Sequence, residues 1–364
     1  MKLAEIISVI ESHAPLALQE SYDNAGLATG DAAMQVRSAL LCIDVTERII
    51  EEAIQIGANL IISHHPVLFH PLKRLTGSSV DERIVIAAIR NNIALYSAHT
   101  NLDSILPGVN NKICTKLNIL NPEILVPKEG VLRKLVTFVP AKHEETVRNA
   151  LFDAGAGHIG QYDQCSFNSP GQGSFMALTG THPYTGEIDK FHLEKETRIE
   201  TVFPSHLQKQ IIRALLAVHP YEEVAYDIYR IENTYEMAGS GMIGELEQPM
   251  TENEFFQHVK EVFHCGIIRC SPFLNKSVKK IALCGGSGAF LAGAAMASHA
   301  DVFLTADVKY HQFFEADGRI VIADIGHYES EQFTIEIFYE LLTKKLPNFA
   351  VHFSRINTNC ITYL

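Results

Sequence analysis

No run of apolar residues in this chain approaches the roughly 20 needed to cross a bilayer. The opening residues, MKLAEIISVIESHA, lack the cationic region and small-residue cleavage site of a secretory leader, so the expectation is a cytoplasmic protein with no membrane partner. Basic residues are in the minority: 30 Lys and Arg face 42 Asp and Glu, a formal net charge of −12. Such a surface repels phosphate backbones and offers no basic stripe for counterion release, which makes nucleic acid a poor partner. The seven cysteines are scattered, odd in number and without a Cys-x-x-Cys pair, which argues against a disulfide framework. No local motif announces a Ser/His/Asp triad or an activated cysteine, so covalent nucleophilic catalysis finds no support. Histidine, by contrast, is plentiful: there are seventeen, several of them where predicted strands end.

At 364 residues the chain is longer than one hydrophobic core usually grows, which predicts two domains or one domain with an insertion. Helical apolar spacing over 2–13 is followed by SALLCIDVT (38–46, strand), ERIIEEAIQIG (47–57, helix), NLIISHH (59–65, strand), DERIVIAAIRN (81–91, helix) and IALYSAH (93–99, strand). Alternating strands and helices imply βαβ units. Nearly continuous apolar strands imply cover on both faces, hence a three-layer α/β/α domain with a mainly parallel sheet. The last third repeats this grammar in VKKIALCG (278–285), ADVFLTAD (300–307), RIVIADIG (319–326) and a helix from about Tyr328. Between them lies an internal echo, LVTFVPAKHEETVRNALFDAG and later RIETVFPSHLQKQIIRALLAVHP, each copy reading strand, proline-bearing turn, helix, strand. Two such copies suggest an inserted ferredoxin-like α+β module. The expected boundaries are 1–128 and 241–364 for the two segments of the α/β domain and 129–240 for the insert.

Ligand sites in open parallel sheets lie outside the carboxyl ends of the strands, and the chemistry of this chain collects there. His64 and His65 end one strand, His99 and Asp103 of HTNLD follow another, and His327 and Glu331 of HYESE open a helix after a third. The last two are spaced i, i+4 and so share a helix face. Where the backbone turns, adjacent imidazoles can reach around a cluster, each serving one ion of a dinuclear site completed by Asp103, His327 and a bridging Glu331. Imidazole and carboxylate suit zinc, manganese, iron or other first-row divalent ions, with no preference fixed by the residues. Taken singly, each of these residues reads more simply as a polar group at a sheet rim; five of them, at three strand ends on one sheet edge, point together to a metal site. His13, His70 and His299 have no such company and read as structural or surface residues.

The motifs SHHP, HTNLD, GGSG, the His-x-x-x-Glu after a strand, YDNAGL, VHPYEEVAYDIY and the terminal INTNCITYL, in that combination and over nearly the whole chain, resemble the GTP cyclohydrolase I type 2 homolog family, also called NGG-interacting-factor-like. The resemblance implies two divalent ions per chain, an insert resembling the trimeric PII-like fold, and a ring-shaped homohexamer, a dimer of trimers. Its metal ligands fall on His64, His65, Asp103, His327 and Glu331, with His99 lining the site. Two positions depart from the pattern, Tyr22 where the family commonly has tryptophan and Cys360 where it has proline, and neither is a proposed ligand.

CGGSG (284–288) lies between a strand and a helix and reads either as a tight turn or as a phosphate contact through Gly285, Gly286 and Ser287. It lacks the dinucleotide spacing and the P-loop lysine. Asp307, Lys309 and His311 of TADVKYH are candidates for the same rim, and His219, Glu222 and Glu223 of VHPYEE read first as a turn shaping the insert and, in the alternative, as a second metal or effector site. The expected function is a metal-dependent hydrolase acting on a small molecule, a nucleotide by the family's name, with His99 orienting substrate or moving a proton. The alternatives are a non-catalytic metal-binding or regulatory hexamer and a metallophosphoesterase.

Overall fold

The computed structural model describes residues 1–363 as a mixed α/β protein with several sheets. It divides into two compact units, one made of residues 1–126 with 237–364, the other of 127–236.

The first unit contains a five-stranded sheet in the order Gly26–Thr29, Ala94–Ser97, Leu60–Ser63, Ser38–Cys42, Ala350–Phe353. All its pairings are parallel except that of the Gly26–Thr29 edge. Every residue of the three central strands is buried, the signature of a sheet covered on both faces. The helix Glu47–Ile56 carries the chain between two of them; Thr46 caps its start by accepting from Ile49 N, and Gly57 ends it in the left-handed conformation at φ +74°. Its buried residues Ile49, Ile50 and Ala53 pack with Leu40 and Ile61 of the strands and Ile84 of the helix Val80–Arg90.

The loop after His65 is tied down by one carboxylate. Glu82 accepts from Thr76 N and Oγ1 and from Ser78 N and Oγ, and the Thr76 hydroxyl foremost among these donors pulls its carboxyl down to about 2. A depressed acid stabilises above its ordinary value, near 4.5, and loses that contribution as pH falls toward about 2. Glu82→Gln, whose amide cannot accept from all four donors, should speed hydrogen exchange at Thr76 and Ser78 by about tenfold at neutral pH and remove its pH dependence between 4.5 and 2.

A second sheet in the same unit runs Arg269–Cys270, Val321–Asp324, Val302–Thr305, Ser277–Leu283, Tyr235–Thr251, Ile119–Lys128. Its three middle strands are parallel. The expectation that the three ligand-bearing strands share one sheet edge is therefore corrected: two sheets, each with a parallel centre and a core of its own, contribute strand ends. The reason lies at the edges. Antiparallel partners, Arg269–Cys270 on one side and the long Tyr235–Thr251 on the other, close off the second trio so that it cannot extend the first.

The second unit folds as Leu132–Pro140, helix Glu144–Asp153, Ser166–Met176, Phe191–Pro204, helix Gln208–Val218 and Tyr226–Arg230. Its sheet is wholly antiparallel, with the first and third of these strands central, a β-α-β-β-α-β connectivity. The echoed segments supply equivalent pieces: Pro140 and Pro204 each end a strand and precede one short turn and one helix. The inward faces of both helices, Val147, Leu151, Ile211 and Leu215, meet Leu135, Val139, Ile199 and Phe203 of the sheet.

Candidate metal centre

The strand Leu60–Ser63 ends where its pairing with the neighbour continues for two further residues: His64 N donates to Cys42 O and His65 N to Ile43 O. Ser63 Oγ folds back onto His65 O at 2.8 Å. The two imidazoles thus leave a backbone that is still anchored while it turns, and their ring centroids lie 4.9 Å apart. From the adjacent strand, His99 caps the short helix Thr100–Ser104, which sets Asp103 one turn beyond it. From the second sheet, Gly326 at φ +95° starts the helix His327–Glu331, and Asp324 fixes that start by accepting from Gly326 N and Val308 N and pairing with Arg269.

All four imidazoles donate through Nδ1 and present Nε2 to one another. His64 Nδ1 donates to Ala98 O at 3.0 Å, His65 Nδ1 to Asp44 at 2.7 Å, His99 Nδ1 to Asp23 at 2.8 Å and His327 Nδ1 to Asp307 at 2.7 Å. Metal-ligating histidines are oriented in this way, the far nitrogen bonded to a carboxylate or carbonyl. On the inner side, Glu331 Oε2 lies 2.9 Å from His65 Nε2, 3.1 Å from His327 Nε2 and 3.7 Å from His64 Nε2, while Asp103 Oδ1 is 3.6 Å from His64 Nε2. Three groups of side chains here could hold a metal ion: His64, Asp103 and Glu331; His65, His327 and Glu331; and His64, His65 and His99, the ligand atoms in each lying within 4.8 Å of one another. Metal–ligand bonds of about 2.0–2.2 Å at tetrahedral angles put ligand atoms about 3.3–3.6 Å apart, close to the spacing around His64.

His64 supplies the strongest sign that the residues fit a cation. It is fully buried, and burial holds its imidazole below the ordinary histidine range, so the ring is neutral. Its Nδ1 proton is committed to a carbonyl. The remaining lone pair on Nε2 has no hydrogen-bond partner and faces two carboxylates, an arrangement that is repulsive unless positive charge lies between them.

In the metal-free protein, protons take part of that role. Burial lowers His65 and His327, but Asp44 and Glu331 around the first and Asp307 and Glu331 around the second outweigh it, raising them to about 9 and about 11. Burial would likewise raise Glu331, yet the protonated rings of His327 and His65, at hydrogen-bond distance from it, hold it well below the carboxylate range. Asp103, pushed up by burial and by the charge of Glu331, goes the other way. Asp23, raised by burial, is brought down to about 2 by His99 and Thr100.

His64, His65, His99, Asp103, His327 and Glu331 are thus gathered in one place. The glycine loop touches them differently from a phosphate cradle. Gly285 N donates to Asn110, Gly286 N to the Ser330 hydroxyl and Gly288 N to the Thr305 hydroxyl, so these amides are already engaged. Gly286, at φ +61°, is where a Cβ would collide with Glu331 Oε1: the glycine makes room for the carboxylate. Ser287 donates to Asp307, the carboxylate that holds His327. Lys309 is exposed, and the exposed His311 lies against Tyr310 and Phe314. Sequence reasoning missed Asp23 and Asp44. Each follows a signal that was available: Asp23 sits in YDNAGL, and Asp44 lies two residues past a strand on the edge where His65 emerges. The terminal INTN motif also reaches this shell, since Thr358 Oγ1 donates to Asp44 at 2.8 Å.

The sequence model of the Duf34/NIF3 (NGG1p interacting factor 3) family matches residues 1–360. A Bacillus subtilis protein named GTP cyclohydrolase 1 type 2 homolog is 37% identical over 370 residues, covering 99% of this chain and 98% of its own. One of the same name from Halalkalibacterium halodurans is 37% identical over the full length of both. Among solved structures, a Bacillus cereus protein related to NIF3 superposes with a TM-score of 0.88 at 38% identity, covering 100% of this chain and 99% of its own. A Staphylococcus aureus protein superposes at 0.79 and 28% identity, with 100% and 99% covered.

Proposed function

Because this chain belongs to the Duf34/NIF3 family, and because one buried carboxylate joins two of its candidate ligand groups, we propose that it is a dinuclear divalent-metal protein and a metal-dependent hydrolase. His64 and Asp103 would hold one ion and His65 and His327 the other, with Glu331 common to both groups. The observation that carries this reading is the position of Glu331 Oε2 among three Nε2 atoms, those of His64, His65 and His327. Divalent ions bound there would polarise a substrate oxygen and make hydroxide available near neutral pH. Zinc, iron and manganese all suit the donors.

The remaining roles belong to the chain. Asp44, Asp307 and the Ala98 carbonyl keep the three ligand imidazoles in one tautomer. His99, held by Asp23, presents Nε2 beside His64 and His65, with ring centroids 5.3 and 5.4 Å away, where it orients substrate or takes up a proton. The substrate is a small molecule, and the relatives' name points to a nucleotide whose guanine ring is opened. The family also suggests a cytoplasmic homohexamer and a PII-like insert in a three-layer α/β/α frame; the connectivity of residues 127–236 supports the insert. A second reading, a metal-binding or regulatory protein without turnover, is favoured by the glycine-loop amides already engaged internally.

Elemental analysis of the purified protein, followed by a screen of the metal-loaded form against nucleotides and phosphoesters, tests these readings. Two equivalents of metal and turnover that vanishes in Glu331→Gln are expected; tight metal without turnover of any compound selects the second reading, and one equivalent or none sinks the dinuclear centre. Asp307→Asn should weaken one of the two equivalents by about 10–100-fold in competition with a chromophoric chelator, since it disturbs only the partner of His327.

A further inference from the structure

Residues 127–236 enclose a cavity of about 580 Å³, within the range of about 300–1,000 Å³ typical of small-molecule sites. Four aromatic residues line it: Phe138 on the strand Leu132–Pro140, Phe175 on the strand Ser166–Met176, Tyr184 in the loop that follows, and Tyr221 in VHPYEE. Tyr221 stands between Phe175 and Tyr184, with ring centroids 6.2 Å from the first and 6.1 Å from the second. Glu222 accepts from His182 N at 3.0 Å, which ties the Tyr184 loop to the Tyr221 segment.

A carboxylate lies against this box and is held there by neutral groups. Tyr221 Oη donates to Glu196 Oε1 at 2.8 Å, and Glu196 Oε2 occupies the place a Cβ at Gly173 would need. The second glycine of SPGQGS therefore lets the carboxylate lie flat over the strand. Among the described residues Glu196 pairs with no cationic side chain, and the one arginine of the lining, Arg198, is turned to Glu200 at 3.0 Å. A bare metal ion is a poor occupant. His219 donates through Nε2 to Phe138 O and accepts at Nδ1 from Tyr221 N, so neither nitrogen is free, and among the described residues the groups that could hold an ion all belong to the other unit.

Aromatic faces attract cations, and a carboxylate that accepts from a single hydroxyl has acceptor positions left for a ligand. The Tyr184 ring already carries the Lys142 ammonium, 4.8 Å from its centroid. We propose that this cavity binds a small organic cation, an amine or quaternary ammonium, packed against Phe175 and Tyr221 with its charge toward Glu196. Nothing in this proposal depends on the metal centre.

The test is calorimetric titration of the full-length protein with choline, tetramethylammonium, putrescine and spermidine, alongside 3,3-dimethylbutan-1-ol, the uncharged isostere of choline. At least one cation should bind with a Kd of about 1 mM or tighter, and the isostere at least about tenfold more weakly than choline if choline is bound. Glu196→Gln and Tyr221→Leu should each weaken the bound cation about tenfold or more, whereas Tyr221→Phe, which keeps the ring, should stay within about threefold. Circular dichroism melts check each variant's fold; should Tyr221→Leu not fold, Glu196→Gln carries the comparison. Equal binding of choline and its isostere, an unchanged Glu196→Gln, or silence of all four cations up to about 10 mM overturns the proposal.

Discussion

Glu331→Gln is expected to cost the protein both metal equivalents together rather than one. The carboxylate is buried, reaches His64, His65 and His327 at once, and belongs to two of the three candidate ligand groups. Glutamine keeps the size but removes the negative charge, and the amide nitrogen it brings would abut imidazoles or cations that want an acceptor. Loss of an outer partner costs about 10–100-fold in metal affinity, so loss of the shared ligand should cost at least about 100-fold for each ion. Equilibrium dialysis with metal analysis measures this. Retention of one tight equivalent would mean that Glu331 does not bridge.

Metal uptake should release protons and tighten steeply as pH rises. His65 and His327, raised to about 9 and about 11, carry protons at neutral pH in the metal-free state, and a metal can be ligated only by their unprotonated Nε2. Each displaced proton makes the apparent affinity rise about tenfold per pH unit below the relevant value, so about 100-fold per unit is expected where both are displaced. The stability sign is opposite without metal. A raised histidine stabilises fully below its ordinary value, near 6.5, and that contribution fades as pH climbs through about 9 and then about 11. Chelator-treated protein should therefore lose melting temperature across that alkaline range while the loaded protein keeps it. Proton release followed with an indicator dye in weak buffer, together with paired melts, decides the matter; pH-independent affinity would refute the picture.

The site was more legible in the sequence than the frame that carries it. Adjacent histidines before a proline and a His-x-x-x-Glu pair at strand ends are visible because strand and helix geometry alone decide which way they face. Asp44 and Asp23 were harder to find because a single aspartate after a strand looks like any turn residue; only the nearby His65 and His99 reveal their use. The division into two sheets was hidden for a different reason. It depends on which distant strand pairs with Ser277–Leu283, and nothing within that stretch tells that Tyr235–Thr251 will lie antiparallel beside it. GGSG stays open between a tight turn and an anion loop in the sequence because its glycines suit both; the need for a glycine beside Glu331 at Gly286 is invisible there, because that contact joins segments distant in the sequence.

His65 and Glu331 meet across 266 positions of sequence. During synthesis, residues 64, 65, 99 and 103 emerge early and wait as an unfinished half-socket while the intervening unit and much of the second sheet are still being made. Capture of an ion by the completed socket would thus be a late event that fastens an early-made part of the protein to a late-made one, so loss of such an ion should loosen both at the same moment.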